Sequence, residues 1–184
     1  MNLPATLVSR GLIISATLAV LIMSGCASPA QSTAMVAMPT GPVTKHPESV
    51  SMNVTGGSET SSMGASQISS TDFTAALKQS IEQSGLFAKV LTAGQADDYH
   101  LEVAIVRLQQ PMFGFSMTVT IETNWTLTRQ RDHMVVWQKA ISTSHTAKAG
   151  EGFAGVTRLR LANEGAARDN IQDAIAQMSA LTLP

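Results

Sequence analysis

From Phe115 to Leu127 the chain alternates without a break. Phe115, Met117, Val119, Ile121, Thr123, Trp125 and Leu127 fall on one side, and Ser116, Thr118, Thr120, Glu122, Asn124 and Thr126 on the other. A period of two held this long predicts an antiparallel strand with one buried face and one wet face. Upstream, Tyr99, Leu101, Val103 and Ile105 interleave with His100 and Glu102 and predict a second strand. Downstream, Val135, Val136 and Trp137 open a third, running to about Thr143. Val50 to Val54 alternates briefly and predicts a fourth.

Two other stretches follow the helical period. Phe73, Ala76, Leu77, Ile81 and Ser84 form one stripe, with N-cap candidates at 69–72 and Gly85 placed to stop it. Leu86-Phe87 is expected to fold back over that helix end. Ile171, Ala174, Ile175 and Met178 form the second stripe, extended upstream by Leu159, Ala162 and Ala166. Small residues at 162, 165, 166 and 167 would let this helix sit close to a sheet. The order is strand, helix, three strands, helix. The economical fold is an α+β two-layer sandwich: a roughly four-stranded, mainly antiparallel sheet with both helices on one face.

The N-terminus has another character. Arg10 precedes an apolar run from Gly11 to Met23, which is too short to span a bilayer, for which about 20 residues are needed. It reads as a signal peptide over residues 1–25. Met23-Ser24-Gly25-Cys26 resembles the bacterial lipobox, with Met where Leu is usual. The resemblance implies that Cys26 carries a diacylglyceryl group and becomes the first residue of the mature chain. Ala27, rather than Asp, follows it, which by the same resemblance implies the outer membrane, with the domain in the periplasm. Cys26 is the only cysteine, so an internal disulfide is excluded. Residues 26–49 are rich in Ala, Ser, Thr and Pro without sustained period, and predict a lipidated N-terminus and flexible tether. Residues 50–184 are left for a single α+β domain.

The 12 Lys+Arg against 13 Asp+Glu give a net charge of −1, which attracts neither nucleic acid nor an anionic surface. Gly150 to Gly155 spells GEGFAG and matches a dinucleotide fingerprint letter for letter. That motif needs a following parallel strand and an acid about 20 residues on. Here a helix follows and the sequence stops shortly after it, so nucleotide binding is not expected. The stretch reads instead as a glycine loop with Phe153 pinned into the core. His46, His100, His133 and His145 have no metal-ligand spacing, G-x-S-x-G is absent, and Asp97-Asp98 reads as turn chemistry. No cofactor, metal or catalytic residue is expected.

Two features could meet a partner or an amphiphile. Arg158, Arg160 and Arg168 line the start of the last helix, and Glu164 stands four residues from Arg160 and from Arg168. A solvated salt-bridge ladder is the plainer reading. Met112 and Phe113 sit in a strand-to-strand connection that is unusually apolar for a loop.

The lipobox, the Ser84-Gly85-Leu86-Phe87 helix end, the Ala96 to Val103 strand, the Trp-bearing strands and a last helix with Asn170-Ile171 together resemble small YajG-like outer-membrane lipoproteins. More distantly they resemble lipopolysaccharide-assembly and transporter-auxiliary lipoproteins. The resemblance implies a non-enzymatic accessory or assembly module with an envelope protein partner. The alternative is a binder of lipid or another amphiphile. A filled core with an exposed patch would favour the first, and an apolar cavity between helices and sheet the second.

Overall fold

The computed structural model describes residues 27–62, 64–92 and 95–183. The signal peptide expected over residues 1–25, with Met23, Ser24 and Gly25, and the expected lipidation site Cys26 lie outside the described residues. The described elements are α1 (Ser32–Met35), β1 (His46–Thr55), α2 (Ser70–Ser84), β2 (Phe87–Leu91), β3 (Tyr99–Gln109), β4 (Met117–Arg129), β5 (Met134–Ala147) and α3 (Gly155–Ser179).

The sheet has five strands, not four, in the order β2-β1-β3-β4-β5. It is mixed: β1 runs parallel to both β2 and β3, and only β3, β4 and β5 form the expected antiparallel meander. The extra strand is β2, whose Phe87 is buried while Ala88 and Lys89 are exposed. Five residues with one buried side chain show no usable period, hence the expectation of a fold-back. The parallel pairing follows from α2, which returns the chain to the end where β1 began, as a βαβ unit requires.

Both long helices cover one face, α2 over β1 and β2 and α3 over β4 and β5. Ser69 caps α2 by accepting from the Asp72 amide at 3.0 Å and donating to the Asp72 carboxylate at 2.6 Å. Gly85 ends it in the left-handed conformation, φ 64°, with its amide on Ile81 and Glu82 oxygens. The small residues of α3 do what their size suggests: Ala162, Ala166 and Ala167 are fully buried. A Cβ on Gly165 would fall 2.1 Å from the His145 ring.

The core beneath the helices is lined by large buried side chains. Trp125, Phe73, Tyr99, Leu101, Ile121 and Leu127 are among its largest fully buried side chains. The polar cluster around Trp125 is satisfied. Thr123 donates to the Asn170 side-chain oxygen at 2.7 Å, and the Trp125 ring N–H donates to the Thr123 hydroxyl at 2.7 Å. Asn170 in turn donates to the Ile141 carbonyl at 3.3 Å. Such groups are tolerated in a core when each has a partner.

The expected tether is not one from Ala30 onward. Ala30, Met35 and Ala37 are buried, and α1 packs against α2 and α3. The backbone amides of Gln31, Ala37 and Thr44 donate to Glu164, Ser80 and Ser179 at 3.0, 2.9 and 2.8 Å. His46, expected in the tether, opens β1: it is buried, its Nε2 lies 3.1 Å from the Met178 carbonyl, and its ring sits 5.3 Å from that of Phe87. The strap is held by isolated side chains and by polar groups distant in sequence, so it carries no period.

Candidate functional site

Among the described residues, two constellations have the residue types of a catalytic centre. Ser51, His100 and Asp97 meet on the sheet face opposite the helices. The Ser51 hydroxyl lies between the Asp97 carboxylate and His100 Nδ1, the latter 2.7 Å away. A hydrolytic triad needs the imidazole between acid and hydroxyl. Here serine is the bridge, His100 stands 3.9 Å from Asp97, and Ser51 is buried. The cluster has a structural explanation. To reach β3 from β2 the chain must pass over β1, and Asp97 and Asp98 fasten that crossing to Ser51 and Ser49. Asp98 accepts from the Ser49 amide at 2.8 Å and its hydroxyl at 2.6 Å, and these bonds hold its carboxyl below the ordinary range. The second constellation, His145 with Asp169 at 2.9 Å, clamps β5 to α3 over Gly165.

A polar groove of about 540 Å³ opens where β1 and β3 start and β4 ends, lined by Glu48, Asp97, Asp98, Tyr99, Arg129 and Arg131 among others. Burial, then the charge of Glu48, raises the Tyr99 hydroxyl above its usual range. Arg129 grips Asp132 with two bonds, 3.0 and 2.7 Å, across the β4–β5 turn. That grip pulls the Asp132 carboxyl down to about 2. This groove lies at the sheet's end, not between the helices and the sheet.

The three arginines do not form a free patch. Arg158 donates to the Gly152 and Phe153 carbonyls at 2.7 and 3.1 Å and to Gly114 at 3.4 Å, so it laces two loops together. Arg160 pairs with Glu164 at 2.8 Å, and Glu164 is buried while also accepting from Gln31. Arg168 reaches the Ala34 carbonyl at 3.4 Å and lies 3.9 Å from Asp169 rather than pairing with Glu164. The expected solvated ladder is therefore replaced by contacts that hold loops and strap.

What remains exposed is apolar. Met112, Phe113 and Phe115 are 95%, 86% and 87% accessible, and Phe153 is fully accessible. Phe153 is thus no core pin, and Phe115 does not share the inward face, because β4 begins at Met117. Met112, Phe113 and Phe115 lie in the β3–β4 connection and Phe153 in the β5–α3 connection. Arg158 joins these two loops, so the four side chains form one crown at one end of the molecule. Sequence reasoning found Met112 and Phe113 but missed the other two. Pro111 and Gly114 marked the connection, but the alternation of β4 ran on through Phe115 and masked its true extent.

No family model matches the chain, and no curated protein matches it in sequence. Solved structures match its fold. The Xanthomonas campestris protein XCC0632, of family DUF330, superposes with a TM-score of 0.61 at 14% identity, over 78% of this chain and 90% of that one. The hypothetical protein CT253 of Chlamydia trachomatis does so at 0.52 and 10% identity, over 74% and 100%. A PelC dodecamer from Paraburkholderia phytofirmans does so at 0.50 and 12% identity, over 78% and 95%. At such identities the likeness is one of fold alone.

Proposed function

We propose that this chain is a lipid-anchored lipoprotein of the bacterial envelope, held at Cys26 in the outer membrane, with its domain facing the periplasm. It acts there as a non-enzymatic accessory or assembly module that engages another envelope protein. The observation that carries the interaction reading is β5. It is fourteen residues long and stands at the sheet's edge, with no strand paired to its outer side among the described residues. An open edge of this length can accept an extended segment of a partner. The core of large buried side chains supports the same reading over the amphiphile binder, which would want an apolar cavity between helices and sheet.

In-cell photo-crosslinking from the exposed edge position Ala140, with purification under denaturing conditions and mass spectrometry, tests it. A dominant protein adduct, lost in the Cys26→Ala variant, is expected. Lipid adducts alone, or none, would overturn the interaction module and return the amphiphile reading to first place.

A further inference from the structure

The strap and the crown meet at the same end of the molecule. The Ala30 amide donates to the Gln67 carbonyl at 3.1 Å, and Ala30 is buried. The Gln67 side chain lies 3.5 Å from that of Gln110. Gln110 itself is fixed, donating to the Ser66 carbonyl at 2.7 Å and to Asn163 at 2.8 Å. Gln110 is the residue from which the connection carrying Met112, Phe113 and Phe115 departs. The chain therefore leaves the folded body at the base of the crown.

Cys26 and Ala30 are four positions apart, with three residues between them. Fully extended, that stretch spans at most about 14 Å. The opposite end of β4 lies roughly 40 Å from the crown at strand rise. Acyl chains on Cys26 can thus enter a bilayer beside the crown and cannot do so beside the polar groove. With a 24-residue tether any face could have met the membrane. With a leash of three residues between Cys26 and Ala30, one end must.

From this we infer that Met112, Phe113, Phe115 and Phe153 dock into the interfacial region of the bilayer that holds the chain's own lipid anchor, so that the domain stands crown-down with its sheet along the membrane normal. The inference rests on the Cys26 anchor proposed above. Apolar side chains exposed together on a rigid end mark a contact surface, and a hydrocarbon boundary accepts them without specific partners. Arg158, which joins the two loops, has its guanidinium engaged with loop carbonyls. The docking is therefore carried by apolar burial. The orientation leaves the β5 edge facing sideways, open to a neighbour in the same plane.

The lipidated full-length protein, extracted in detergent and reconstituted into phosphatidylethanolamine–phosphatidylglycerol vesicles, tests this. Phe113→Cys, Phe153→Cys and Arg131→Cys each add the one free thiol for an environment-sensitive dye, since an acylated Cys26 is blocked. Brominated lipids should quench the dye at 113 and 153 at least about threefold more than at 131. Intact mass of the same samples reports acylation independently. Acylated protein with equal quenching at all three positions overturns the docking and leaves the anchor standing. An unmodified Cys26 removes the anchor, and the docking with it.

Discussion

β4 joins two ends that obey opposite rules. At its C-terminal end the turn to β5 is Gln130, Arg131, Asp132 and His133, polar throughout and closed by the Arg129–Asp132 grip. At its N-terminal end the connection from β3 is Pro111-Met112-Phe113-Gly114-Phe115-Ser116, and its large side chains point away from the body. The first end turns on polar residues, with Met134 and Val135 partly exposed just beyond it. The second is built as rigidly, with Arg158 and Gln110 holding its backbone, yet it shows its apolar surface outward. Chain economy would bury those rings if the fold were their only purpose, because each aromatic buries 150–250 Å² when enclosed. The difference teaches that the body and the crown have separate tasks: stability resides in the body, and the crown contributes contact with something outside the chain.

That separation can be broken experimentally. The largest effect is expected at Glu164, which is buried, pairs with Arg160 and receives the Gln31 amide. Glu164→Ala strands the guanidinium and frees the strap, and should cost about 2–4 kcal/mol in denaturant unfolding, the range for breaking a largely buried pair. Limited proteolysis should then cut within residues 27–43. A variant that stays protected there would show that the strap is held by its apolar side chains alone.

Next comes the helix–sheet contact midway between the ends. Alanine is normally the better helix former by about 1 kcal/mol. At position 165 its Cβ would meet the His145 ring. Gly165→Ala should therefore destabilise by about 1–3 kcal/mol through overpacking. The double variant with His145→Ala should recover most of it. A thermal melt in which the single variant gains stability would refute the close packing.

A smaller effect belongs to the polar end and appears with pH. Asp132 is held at about 2 in the folded chain, against about 3.9 unfolded. A lowered carboxyl gives stability that is complete above the unfolded value and is lost as pH falls towards the folded one. The melting temperature should thus fall between about pH 4 and pH 2. Asp132→Asn should flatten that limb in part only, because Asp98, lowered by Ser49, acts with the same sign. Identical acid limbs in the two proteins would mean that the Arg129 grip does not persist in solution.

The smallest stability effect is expected at the crown. Met112→Ser, Phe113→Ser and Phe153→Ser should each stay within about 0.5 kcal/mol of the parent, as exposed positions do, while brominated-lipid quenching of a dye elsewhere on the crown drops. A loss of several degrees in the melt would place the crown in the core's service and dissolve the contrast between the ends.

Much of the body was legible from periodicity. The inward stripe of β4, the stripe of α2 with its serine cap and glycine stop, and the small residues of α3 report burial on regular elements, where geometry repeats every 2 or 3.6 residues. The candidate surface was half legible. Met112 and Phe113 stood out as apolar residues beside Pro111 and Gly114, whereas Phe115 hid in the rhythm of the strand it precedes. Phe153 followed the general rule that an aromatic among glycines turns inward, and that rule fails where no cavity waits for it.

By itself, the sequence determined the α+β content, the antiparallel meander and the two covering helices. Each is a local or periodic property of the chain. Only the tertiary structure decided that β2 completes a mixed sheet and that Asp97 and Asp98 fasten a crossing loop. It alone turned residues 30–43 into a strap and gathered four exposed apolar side chains at the end where that strap departs. Those outcomes depend on groups far apart in sequence, such as Gln31 with Glu164, Thr44 with Ser179 and Gly114 with Arg158. No period along the chain encodes such pairs; they exist only once the packed helices and sheet bring them within hydrogen-bonding distance.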